Sequence, residues 1–144
     1  MDNCCYFRLA DDQTQYRIAI EAQAVNAIIK LCEMGQVSII GSDMLDFEMS
    51  LTKDDIKRNK MQGIYDGIVS ERLKKTDRIK ERAKNLLTLG FREQDATHIA
   101  FAESGNVDVY LTTDDKLLKC AESNDMTIEV KNPVNWIMEV LRNE

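Results

Sequence analysis

Three short apolar, β-rich runs, Val37 to Ile40, Val107 to Leu111 and Met126 to Val130, are separated from one another by long stretches with helical periodicity. That alternation constrains the chain more than any other feature. A strand that must cross a helix before meeting its neighbour can pair with it only in parallel, and parallel pairs need helices packed on their faces. The expected architecture is therefore α/β, a three-layer α/β/α sandwich around a central, mostly parallel sheet, with residues 1–144 forming a single domain.

The helical stretches carry their own punctuation. Gln15 to Met34 repeats Ile18, Ala22, Val25, Ile28, Ile29 and Cys32 on one stripe and meets Gly35 at its end. Ser42 is placed to cap a helix holding Met44, Leu45 and Glu48. Thr52 with Asp55 opens a segment whose apolar positions are Ile56, Met61, Ile64 and Ile68. Asp77 opens another with Ile79, Ala83, Leu86 and Leu87 inward, stopped at Gly90. The region from 53 to 89 thus reads as a helical pair. Residues 93 to 104 form a compact helix with Asp95 in its first turn. The Thr112 to Asp115 turn leads into a helix with Leu117, Leu118 and Cys120, and Asn132-Pro133 starts a last one with Trp136, Ile137, Val140 and Leu141 inside. Trp136 reads as a core or dimer-contact residue.

Several functions are disfavoured by what the sequence lacks. It has no G-x-G-x-x-G, G-x-x-x-x-G-K-[ST] or G-x-S-x-G, which argues against dinucleotide, P-loop and α/β-hydrolase chemistry. One histidine and four cysteines without C-x-x-C spacing make a zinc site a poor reading, and reduced thiols are expected. No apolar run suits a membrane span and the opening residues do not read as a secretory leader, so the expected location is the cytoplasm, with no membrane partner.

The net charge of −6 is unevenly placed: residues 53–84 carry 11 Lys/Arg against 6 Asp/Glu, net +5, leaving −11 elsewhere. Solvated helix faces explain much of that segment through i,i+4 pairing. A rim that contacts phosphates is the functional alternative, with Lys57, Arg58, Lys60, Arg72, Lys74 and Lys75 as its candidates. Arg8 and Arg17 lie near the first acid and are further candidates for substrate phosphates.

Ligands of parallel sheets sit beyond the carboxyl ends of the strands, and the polar residues found there are acidic. Glu48 follows the first strand-like run and Asp114 follows the second. Asp2 stands at the start of the sequence, and Asp95 occupies the first turn of a helix, where the macrodipole favours a carboxylate. Carboxylates gathered without basic partners repel, and a hard divalent cation bound through oxygen offsets that repulsion. Mg²⁺ or Mn²⁺ is the implied ion, with an activated water and a stabilised phosphate leaving group as its chemistry. His98, one turn from Asp95, reads more readily as a hydrogen-bonded packing residue than as a general base.

Four stretches carry a resemblance: DNCCYFRL at the start, SDMLDFE at 42–48, DATHIAFAES at 95–104 and VDVYLTTDDKLL at 107–118. Together they resemble the PIN domain family, most specifically in an Asp-x-x-His-hydrophobic-Ala helix followed by a strand and Thr-x-Asp, with Asn-Pro at 132–133 in keeping. The resemblance spans essentially the whole sequence, although 53–89 is matched only in type. It implies metal-binding acids at Asp2, Asp95 and Asp114, with Glu48 as a fourth acid that binds the ion or orients the attacking water. Thr112 would be the supporting hydroxyl and Asp115 an assisting neighbour. The implied activity is that of a Mg²⁺- or Mn²⁺-dependent endoribonuclease, a hydrolase of RNA. The similarity in size to the bacterial VapC-like toxins adds an antitoxin to the expected partners, packed on the first and middle helices with a basic side chain in the acidic pocket. A homodimer is a further expectation.

The family carries a strand ahead of its first acid, whereas here only Met1 precedes Asp2, and Cys4 to Arg8 are the residues available to serve instead. A non-catalytic PIN-like module binding protein or RNA is therefore the alternative. A receiver-like phosphoacceptor fits less well, because it wants its acceptor Asp in the middle of the chain, where a basic segment lies.

Overall fold

The computed structural model describes residues 1–143 and has mixed α/β structure in which strands alternate with helices. In chain order the elements are α1 (Asn3–Phe7), α2 (Tyr16–Glu33), β1 (Ile39–Ser42), α3 (Asp43–Ser50), α4 (Asp55–Ile68) and β2 (Val69–Leu73). There follow α5 (Asp77–Leu87), α6 (Glu93–Ser104), β3 (Val109–Leu111), α7 (Asp115–Glu122), β4 (Glu129–Lys131) and α8 (Pro133–Arg142).

The helix starts follow from capping chemistry. Ser42, Asp54, Thr76, Asp114 and Asn132 each accept a hydrogen bond from a first-turn backbone N–H. Each bond satisfies a donor that the helix itself cannot. Gly35 and Gly90 both take positive φ just past helices α2 and α5, where a side chain would be strained. Ile56, Leu87 and Leu141, expected inward, are exposed instead.

Pairing is parallel, but among the described residues a single central sheet does not form. β1 pairs only with β2 and β3 only with β4, giving two separate two-stranded sheets. Both β1 and β3 line a cavity of about 370 Å³ that also meets Met1, Phe101 and Trp136. The residues nominated to pair between them, Cys4 to Arg8, contribute instead to α1 and its carboxyl cap. Their burial explains why: Cys5 and Tyr6 are fully buried, Asn3 Nδ2 donates to Leu45 O at 3.0 Å, and Tyr6 meets Tyr65 edge to face at 5.7 Å. Asp2 reaches β3 through its N–H to Leu111 O at 2.8 Å, and the Cys5 thiol reaches the same oxygen at 3.5 Å.

A second difference lies in the middle segment, which is not a helical pair alone. Between α4 and α5 the chain forms β2, with sequence Val-Ser-Glu-Arg-Leu. As an edge strand exposed along its three central residues, β2 has no need of the apolar run by which a buried strand is recognised.

β1 itself is displaced from the expected Val37 to Ile40 and runs on through Gly41 and Ser42. Gly41 permits this, because Tyr65 packs against its backbone and the Tyr65 hydroxyl oxygen accepts the Ser42 N–H at 3.3 Å. A Cβ at Gly41 would meet the Tyr65 hydroxyl and lie 2.9 Å from Tyr65 Cζ and 3.1 Å from Val69 Cγ1. Tyr65 is fully buried and has little room to retreat. Gly41→Ala is expected to cost about 1–3 kcal/mol by overpacking. Urea melts of the two proteins check this; an unchanged midpoint would contradict the packing described.

Three clusters form the core. The largest joins α5, α6, β3 and α7 through Ile79, Leu86, Ile99, Phe101, Tyr110 and Leu117. A second binds α1 and α2 to α8 through Cys5, Val25, Ile28 and Ile137, with Trp136 partly buried against it. The third is Tyr6, Leu45, Met49, Met61 and Tyr65. All four cysteines are free. Among the described residues no helix is long and apolar enough to cross a membrane.

Candidate functional site

Asp2, Glu48, Asp95 and Asp114 line one cavity of about 470 Å³, together with Cys4, Arg92, Glu93, Gln94 and His98. Each acid arrives by a different route. Asp2 is the residue before α1, Glu48 projects from the last turns of α3, Asp95 lies in the first turn of α6, and Asp114 caps α7.

Local bonding holds each carboxylate. Thr112, fully buried, donates its hydroxyl to Asp2 Oδ2 at 2.8 Å while its oxygen accepts the Asp114 N–H at 3.1 Å, so one side chain ties two acids to the end of β3. Asp114 Oδ1 accepts the N–H groups of Lys116 and Leu117 at 2.9 and 3.4 Å. Glu48 is held by His98 Nε2 at 2.9 and 3.0 Å from its two oxygens. His98 is buried and stacks on Tyr110, with ring centroids 6.2 Å apart, so it positions Glu48 from behind.

Two further carboxylate oxygens, one on Asp95 and one on Asp114, are engaged by a residue that sequence reasoning passed over. Arg92 donates from Nε to Asp95 Oδ2 at 2.7 Å and from Nη2 to Asp114 Oδ2. The expectation of acids without a basic partner is thus corrected. An Arg-x-x-Asp spacing at the start of a helix was the available signal, since residues three apart share a face.

The two acids respond differently to the same guanidinium. Burial pushes the Asp95 carboxyl above its ordinary range, and Arg92 offsets this only in part because Asp114 and Asp2 add their negative charge. Burial acts in the same direction on Asp114. There Arg92 and the capping N–H groups outweigh it and hold the carboxyl below the usual range. Asp95 therefore keeps a proton to higher pH than Asp114 does.

No protein family, curated protein or solved structure matches this chain. The donor set has to be weighed on its own chemistry. Carboxylates and a hydroxyl around one cavity suit a hard, oxygen-seeking cation in kind. In the arrangement present, however, no three His, Cys, Asp or Glu side chains among the described residues come together closely enough to hold one ion. Asp2 is bonded to Thr112 and Glu48 to His98, while Asp95 and Asp114 share Arg92.

Other candidates lie elsewhere. Asp115 does not line the cavity; its carboxylate takes Arg17 Nη1 and Nη2 at 2.7 and 2.9 Å. Arg17 also reaches Glu21, as does Arg8, whose Nε lies 2.9 Å from Glu21 Oε1, so neither arginine is available to a phosphate in this arrangement. Lys57, Arg58, Lys60, Arg72, Lys74 and Lys75 are also outside the cavity lining. Arg58 pairs with Asp55, and Lys57 lies 3.9 Å from Asp11. Arg72 bonds Asp46 and Asp66 and covers the Tyr65 ring. Lys74 and Lys75 follow the carboxyl end of β2, and the Lys75 N–H is fixed by Asp43 Oδ2 at 2.9 Å.

Proposed function

We propose that the chain is a PIN-like, metal-dependent endoribonuclease, and that its two parallel strand pairs and flanking helices correspond to the three layers of that fold. The observation that carries this reading is the convergence of Asp2, Glu48, Asp95 and Asp114, from four separate parts of the chain, on one cavity. Asp2, Asp95 and Asp114 would hold Mg²⁺ or Mn²⁺, and Thr112 would keep two of them in place through its hydroxyl. When bound, such a cation supplies Lewis-acid stabilisation of phosphate charge and an acidified water.

The chain's own groups do the rest. Glu48, steadied by His98, is placed to orient a water or accept its proton. Of the basic candidates, Lys57, Arg58 and Arg72 pair with aspartates, so Lys60, Lys74 and Lys75 would be the ones to guide an RNA backbone. The expected outcome is that single-stranded RNA incubated with the protein is cut in Mg²⁺ or Mn²⁺ and stays intact in excess chelator. Cleavage that proceeds equally in chelator would contradict the proposal.

A second reading, a PIN-like module that binds a partner without cutting, is favoured by one observation. Arg92 already neutralises two of the four acids. A cavity that accepts a guanidinium from within the chain has the right chemistry for one brought in its place by an antitoxin-like protein. Calorimetry with Mn²⁺ separates the two, since the module needs no divalent ion.

A further inference from the structure

The two strand pairs stop short of each other. β1 has only β2 beside it and β3 only β4, so among the described residues each leaves one backbone edge without a strand. Both strands line the cavity of about 370 Å³, to which α2, α6 and α8 contribute Ile28, Phe101 and Trp136. An unpaired edge presents a row of N–H and C=O groups that pair with extended backbone brought to them.

One rung of such pairing is already in place. Asp2 is extended, with φ −62° and ψ 147°, and its N–H reaches Leu111 O at 2.8 Å. The next residue of the strand line, Thr112, sends its N–H the other way, to Lys131 O of β4 at 3.0 Å. That alternation turns Val109, two residues before Leu111, to the open edge as well. Tyr110, between them, is buried and its hydroxyl has no hydrogen-bond partner among the described residues.

We propose that the gap between β1 and β3 takes an extended, apolar segment of another protein, which adds a strand to both pairs and joins them into one sheet. The open edges call for backbone donors and acceptors, which a purely hydrocarbon ligand lacks. Apolar side chains from three helices line the cavity, so the occupant's own side chains are apolar, the composition of a buried parallel strand. β1 and β3 are 4 and 3 residues long, so the occupant pairs with both over about three or four residues. A second copy of this chain is poorly suited, because its β-rich runs, Val37 to Ile40, Val107 to Leu111 and Met126 to Val130, are taken up by β1, β3 and β4 and their approaches. Such docking requires neither a metal ion nor RNA cleavage.

Trp136 lines the cavity and is the chain's single tryptophan, so its fluorescence reports occupancy. The probe is a capped peptide with about five consecutive Val and Ile residues between flanking lysines, titrated into the full chain. Alternate residues of an inserted strand bond to opposite neighbours, so two further peptides with the same flanks carry N-methyl groups on one alternate set or the other. The parent peptide is expected to shift Trp136 emission and to raise the midpoint of thermal unfolding. Each N-methylated peptide should bind at least about tenfold more weakly, because each loses its donors to one of the two strands. Weakening by one set alone places the peptide on a single edge and overturns insertion between the pairs. Equal binding of all three peptides reduces the gap to an apolar groove, and no response to any of them leaves no strand site; either result overturns the proposal. Self-association of the chain alone, with no response to peptide, makes a second copy the occupant and equally overturns it.

Discussion

Asp95→Asn is expected to lower metal-dependent RNA cleavage by at least about 100-fold, since direct cation ligands and the charge they stabilise account for several kcal/mol of a barrier in such chemistry. The fold should survive the change. Asp95 projects from the first turn of α6 into the cavity, and the buried residues that hold that helix, Ala96, Ile99, Ala100 and Phe101, are untouched. The amide can still accept from Arg92 but no longer balances its charge. Initial rates of cleavage of a labelled RNA, with circular dichroism as a check on folding, measure the effect. A rate within a factor of about three of wild type is well under the 1.36 kcal/mol that each tenfold represents, and would remove Asp95 from the mechanism.

Glu21→Ala is expected to have the largest effect on stability, about 2–3 kcal/mol, through loss of a buried, charge-assisted hydrogen-bond hub. Glu21 is only 2% exposed within α2. Its carboxylate accepts from Arg8 Nε at 2.9 Å, Arg17 Nε at 3.3 Å and Asn132 Nδ2 at 2.6 Å, joining α2 to the end of α1 and to the cap of α8. Asn132 must also hold the first turn of α8 through the Val134 N–H at 2.8 Å, and a cap left loose fails to satisfy that donor. In a chain of this size the midpoint of thermal unfolding should fall by roughly 6–10 °C. Glu21→Gln, which keeps an acceptor for Asn132, should lose less. Equal melting of wild type and Glu21→Ala would mean that the hub does not bind these helices together.

The parts legible in the sequence were those set by local chemistry. Ser42, Gly35, Gly90 and Asn132-Pro133 mark helix ends because capping and positive φ are decided within a few residues. The β3 and β4 runs were visible for the same reason: apolar, β-rich residues stand out between polar turns. β2 was not visible, because an exposed edge strand is held by its neighbour's backbone and carries no apolar signature. The separation of the two strand pairs was equally hidden. Residues Cys4 to Arg8 form α1 and its cap, with Cys5 and Tyr6 buried against Leu111, Tyr65 and α2, a set of long-range contacts that no local pattern announces.

At the site, strand-end position and helix first turns pointed to Glu48, Asp95 and Asp114, and the cavity they share needed coordinates to be seen. Partners were the weaker part. Arg8 and Arg17 look free in the sequence yet meet Glu21 and Asp115 across long separations, and Arg92 looks unremarkable until α7 brings Asp114 beside it. Ion pairing between distant elements leaves no periodic trace, so charge counts along the chain overstate how many basic side chains remain available to RNA.

The most direct measurement is anomalous scattering from crystals of the full chain grown with Mn²⁺. One peak is expected among the Asp2, Asp95 and Asp114 carboxylates, at about 2.0–2.6 Å from their oxygen atoms. A peak elsewhere, or no peak at saturating Mn²⁺, would contradict the proposed site.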